Sequence, residues 1–169
     1  MPIVAGDLEE RFSGGSSNSD PDASLGGVKS SVELTDNTTH NLWDVVSSAE
    51  SSAGDTEYRC IYIHNGHGSL TLQNAAVYID TNTPSGDTAV RIALGTSAIN
   101  GTEQTIADES TEPSGVTWST AAGSGNALAI GNIPAGQHKA IWIERVVSSS
   151  ASAANDDSYV LAYTGDTAA

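Results

Sequence analysis

The sequence predicts an all-β fold: a single β-sandwich or jelly-roll-like domain behind an extended N-terminal arm. Three observations carry that expectation. Apolar residues alternate with a period of two in several short runs, best in Tyr58–His64 and Lys139–Val147. Gly, Pro and Asn punctuate those runs at regular spacing, giving about eight short strands. No helix-period stripe of useful length and no strand–helix–strand rhythm is present.

Domain boundaries follow from composition. Arg11–Ser31, RFSGGSSNSDPDASLGGVKSS, has only Phe12, Leu25 and Val28 as large apolar residues. Such a stretch buries too little apolar surface to offset its ordering entropy. Its two Gly-Gly pairs and an Asn-Ser-Asp-Pro turn signal set it apart from a plain linker. Residues 1–31 therefore read as an arm that lies on a neighbouring subunit, and residues 32–169 as the sandwich. Phe12, Leu25 and Val28 are the candidate anchors of the arm. Arg11 and Lys29 are its candidate cationic contacts.

Within the domain, Ser31–Leu34 is a short candidate strand. Asn41–Ser52, with Leu42, Trp43, Val45 and Val46, is the one place for a helical turn, and 47–55 reads as a Ser/Ala/Gly loop. In the next strand Tyr58, Cys60, Tyr62 and His64 face one way, and Arg59, Ile61 and Ile63 the other. Asn65-Gly66 is a hairpin signal, since both positions of the turn tolerate positive φ; Ser69–Gln73 would return antiparallel and Ala76–Ile79 would continue. Thr81–Gly86 is a turn. Ala89–Leu94, Glu103–Ala107, Val116–Trp118 and Ala127–Ile130 are further strands. Ile133-Pro134-Ala135-Gly136 turns the chain into Lys139–Val147. There Ile141, Ile143, Arg145 and Val147 share one face, and Trp142, Glu144 and Val146 the other. Tyr159–Tyr163 closes the domain.

Charge limits the partners. The 169 residues carry 21 acidic and 6 basic side chains, a net −15, with Lys29 and Lys139 the only lysines. Such a surface repels nucleic acid and anionic membranes. It keeps the chain soluble by self-repulsion and suits a salty medium, where the Debye length falls to ~3 Å at 1 M. Cys60 is the only cysteine, sits in a strand pattern and reads as a buried small hydrophobe. The first residues lack a secretory pattern and no stretch has transmembrane length, so synthesis in a cytoplasm is expected.

Motifs for chemistry are sparse. His64 and His67 flank the Asn-Gly turn, and a metal would need further convergent ligands such as Glu57 or Asp80. Asp108, Glu109 and Glu112, or Asp156 and Asp157, offer oxygen ligands without a calcium-loop pattern, and read as solvated loops. No Gly-x-Ser-x-Gly elbow or phosphate-binding loop is present, and nothing singles out a carboxylate pair. Trp43, Trp118 and Trp142 could form a sugar-stacking platform, while Trp142, in a strong strand, reads as packed in the core or against a neighbouring subunit. The expectation is no catalytic residue, no cofactor and no metal.

A resemblance emerges from the motifs together. Ser13-Gly14-Gly15, Asn18, Asp20-Pro21, Ser24-Leu25-Gly26-Gly27 and Ser30-Ser31 resemble small structural proteins of tailed double-stranded DNA viruses. Cys60-Ile61-Tyr62-Ile63-His64-Asn65 and Gln104-Thr105-Ile106-Ala107-Asp108-Glu109 are similar to the same group. So is Ile133-Pro134-Ala135-Gly136 running to Ile141-Trp142-Ile143-Glu144-Arg145. The resemblance implies a virion protein without fixing its station; an arm that orders on docking plus a compact β-sandwich suits a capsid decoration (cement) protein bound to the major capsid protein on the outer head surface. A homotrimer or other homo-oligomer is expected, with no nucleic acid or membrane partner. Competing expectations are a neck, tail or baseplate component and a carbohydrate-binding adhesin module.

Overall fold

The β-branched and aromatic runs become the central strands of the computed structural model, which describes residues 1–155 and 157–167. In chain order the strands are β1 (Leu8–Phe12), β2 (Gly26–Gly27), β3 (Asp55–Asn65), β4 (Leu72–Thr81) and β5 (Thr88–Leu94). They continue with β6 (Glu103–Thr105), β7 (Leu128–Ile133), β8 (His138–Val147) and β9 (Val160–Thr167). One six-residue helix, α1 (Ser48–Ala53), stands between β2 and β3. The fold is all-β, in three antiparallel sheets ordered β1-β3-β8-β5, β7-β4-β9 and β2-β6.

Register explains the two-sided burial of the large sheet. Ile61 lies opposite Ile141 and Cys60 opposite Trp142, so each strand's two faces match its partner's. One face carries Ile61, Ile63, Ile141, Ile143, Val90 and Ile92 against Leu72, Val77, Ile79 and Ile133 of the second sheet. Each such side chain contributes about 1.5–3 kcal/mol on burial. The other face carries Tyr58, Cys60, Tyr62, Ala93, Ala140 and Trp142, closed over by Ile106, Leu25, Val116 and Trp118. The large sheet is thus a middle layer, with the second sheet on one side and the segments around β2 and β6 on the other. The face assignments read from alternation in β3 and β8 hold.

The N-terminal segment departs from the expected arm. β1 pairs with β3 from Leu8–Asn65 to Phe12–Ile61, and Phe12 lies in the main core. The chain then folds back over the same sheet. The amide of Cys60 donates to Ser24 O (2.7 Å), that of Ile106 to Leu25 O (3.0 Å), and the Tyr62 hydroxyl to Gly27 O (2.5 Å). Ser13, Ser24 and Ser30 are fully buried. Composition misses this because the segment is held by polar atoms as much as by apolar area. Gly26 N donates to Ser13 Oγ (3.0 Å), Asn18 Nδ2 to Ser13 O (2.6 Å), and Ser30 Oγ to Asn18 O (2.7 Å). Small residues let the backbone approach the sheet closely enough to make these bonds. The boundary at residue 31 is corrected accordingly: residues 8–31 are part of the domain's packing.

Other differences are local. Asn65-Gly66 does not close a hairpin, because β3 and β4 lie in different sheets. The buried Asn65 amide donates to Leu70 O and Ile133 O, each at 2.9 Å, and its Oδ1 accepts from His67 N at 3.1 Å. That side chain steers the chain from one sheet to the other. The helical turn falls at 48–53, at the end of the 41–52 window and within the stretch read as a loop, because Ser47 and Glu50 form a reciprocal capping box there. Leu42 and Trp43 serve the core instead. Ser31–Leu34 and Val116–Trp118 are not strands. Glu33 bridges Arg11 on the outer edge of β1, and Ser119 bridges Ile92 on the outer edge of β5, so both edges of the large sheet are partly covered.

Candidate docking surface

The layer over the aromatic face of the large sheet carries Leu25, Val28 and a glycine-lined groove. Of the five expected partner-binding residues, Phe12 is in the core. Arg11 is held by Glu9 and by Ser31 O. Lys29 is partly buried and donates to Ser30 O at 3.0 Å. Leu25 is half-buried against the aromatic cluster, and Val28 is 49% exposed. Leu25 and Val28 therefore sit at the surface, and the structure brings them together along one groove.

That groove, of about 390 Å³, is lined by Gly14, Gly15, Ala23, Leu25, Gly26, Gly27, Val28, Thr105 and Ile106. Gly26 has φ +92°, and a Cβ there would lie 1.8 Å from Gln104 O. Only glycine lets β2 approach β6 this closely. A second depression, of about 310 Å³, shares Leu25 with the groove and is lined by Asp22, Asp44, Ala107, Asp108 and Glu109.

Beneath the acidic depression lies an ion-pair cluster that alternation alone did not single out. Arg59 Nη2 meets Asp22 Oδ1 at 3.1 Å and Glu109 Oε2 at 2.5 Å. Arg145 Nη2 meets Asp44 Oδ1 at 2.9 Å, and its Nε donates to Glu57 Oε2 at 2.6 Å. The Trp43 ring receives both cations, with Arg59 at 5.3 Å and Arg145 at 5.0 Å from its centroid. Burial pushes the Glu57 carboxyl above its ordinary value, with Arg145 opposing. The available signal was positional: Glu57 and Arg59 share the Ile61 face of β3, and Arg145 shares the Ile141 face of β8. Charged residues on core-facing positions of adjacent strands need each other as partners.

The remaining candidates have structural partners. His64 Nδ1 lies 2.8 Å from Glu9 Oε2, and His67 Nδ1 accepts from Ser69 N and Leu70 N. Among the described residues no three His, Cys, Asp or Glu side chains converge as metal ligands. Asp108 accepts from the Thr111 hydroxyl, and Asp157 from Ser85 N; Asp156 lies outside the described residues. Cys60 is fully buried, and burial pushes its thiol far up. Trp43 and Trp142 are buried, while half-buried Trp118 stacks on Tyr58 at 5.5 Å and donates to Glu112 Oε1 at 2.8 Å. The three tryptophans do not form one platform. No helix is long and apolar enough to cross a membrane among the described residues. No protein-family model, curated protein or solved structure matches this chain.

Proposed function

We propose that the protein is a non-enzymatic structural component of a tailed-virus particle, a decoration protein that docks on the major capsid protein at the outer head surface. One observation supports it above others. Residues 13–31 and 104–109, two of the stretches that carry the resemblance to virion proteins, pack together over the face of the large sheet formed by two others, 60–65 and 141–145, and they supply the groove and most of the acidic depression. In this reading the N-terminal segment docks as a folded surface, through Leu25 and Val28, and does not reach out as a free strand. Repetition on a shell would raise the effective concentration of each weak contact.

Quantitative mass spectrometry of purified virions tests this directly. A copy number equal to that of the major capsid protein, or a simple fraction of it, is expected. A single ring's worth per particle would move the protein to the neck or tail. Absence from virions would overturn the virion reading.

A further inference from the structure

We propose that the glycine-walled groove and the adjoining acidic depression form one docking site for an extended segment of another protein. That segment pairs a small apolar side chain with a lysine or arginine. The proposal names the partner chemistry for the docking reading above and rests on it.

The two halves are contiguous, since Leu25 lines both. The groove presents Val28, Ile106 and glycine backbone, which suits a narrow apolar side chain and close approach of a main chain. The depression presents Asp22, Asp44, Asp108 and Glu109. Arg59 and Arg145 answer part of that charge from below, and Asp108 has only a hydroxyl partner. Four carboxylates over two guanidinium groups leave the mouth negative on a chain of net −15.

Charge also says whose segment this is. Each arginine of the chain already faces a carboxylate of the same chain: Arg11 faces Glu9, Arg59 faces Asp22 and Glu109, Arg91 faces Glu144, and Arg145 faces Asp44 and Glu57. Both lysines donate to backbone carbonyls. A second copy offers the mouth only Lys29 and Lys139 as side-chain cations without a carboxylate partner, both already bonded to carbonyls of their own chain, and two copies of net −15 repel each other. The complementary segment belongs to a different, cationic protein.

The test is an amide NMR titration of the full chain with three short synthetic peptides. The first alternates valine and threonine and carries two lysines. The second has glutamates for the lysines, and the third has serines for the valines. Only the first is expected to shift amides around Gly14, Gly26, Val28, Thr105 and Ala107. Its affinity should fall about ten-fold when NaCl rises from about 50 to about 500 mM. Val28→Asp and Asp108→Asn, both at exposed positions, should each weaken it several-fold while the spectrum stays dispersed. No binding, equal binding of all three peptides, or shifts elsewhere would overturn the proposal. Virion copy number is read separately, so a failed groove and a failed virion assignment give different results.

Discussion

Glu103 shows how one carboxylate can tie a loop to the sheet. It is 3% exposed, and it accepts hydrogen bonds from Thr96 N (3.1 Å), Thr96 Oγ1 (2.8 Å) and Ser97 N (2.9 Å). Burial alone would raise its pKa. The bonds from Ser97 and Thr96 outweigh burial and bring it from the ordinary 4.5 to about 2. Because folding favours the ionised form, its stabilisation is complete above pH 4.5 and drains away as pH falls towards about 2. Glu103→Gln should therefore lower stability at pH 7 and flatten the acid limb over that interval, as read from urea midpoints at stepped pH. Phe12 makes a second residue-scale test. It is 6% exposed within the main core, so Phe12→Ala should cost about 3–5 kcal/mol in denaturant unfolding. A cost near zero would mean that β1 does not rest on the sheet as described.

At the scale of elements, β1 and the layer after it decide whether the N-terminal segment is dispensable. Removing residues 1–31 would strip the edge pairing from β3, take Phe12 from the core and uncover the Tyr62–Trp142 face. The truncated chain should lose its dispersed NMR spectrum; a folded truncation would restore the independent arm. The cross-strand pair Glu57–Arg145 joins β3 to β8 in the same way. Arg145→Leu would leave a carboxylate that is 1% exposed without its guanidinium, at a cost of about 3–5 kcal/mol. Adding Glu57→Leu should recover part of that loss, and a double-mutant cycle measures the coupling.

At the scale of the whole molecule, net charge is the dominant unbalanced term. With 21 acids against 6 bases, and the bases engaged internally, most of the surface field is repulsive. Added salt screens that repulsion, so the melting temperature should rise steadily with NaCl up to about 1 M, where the Debye length is ~3 Å. A flat melting curve would mean that the carboxylates are spaced widely enough not to oppose folding.

The sequence by itself determined the β class, the positions of β3, β5 and β8 and the facing of their side chains. Alternation of period two is a local property and survives whatever packs on either face. It also determined the acidity, which no fold can alter. Tertiary structure decided the rest. Asn65-Gly66 carries a local turn preference, but its side chain bonds to Leu70 and to Ile133, distant in the chain, and so joins two sheets. Arg11–Ser31 lacks apolar area, yet its buried serines and close-lying glycines find partners on β3 and near β6. Leu25 and Val28 were legible as isolated apolar residues of a polar segment, and the structure sets both along one groove. The acidic mouth beside them was not legible, because Asp22, Asp44 and Glu109 are far apart in sequence and meet only through Arg59 and Arg145. Long-range hydrogen bonds and ion pairs depend on which segments the fold brings side by side, and local pattern carries no record of them.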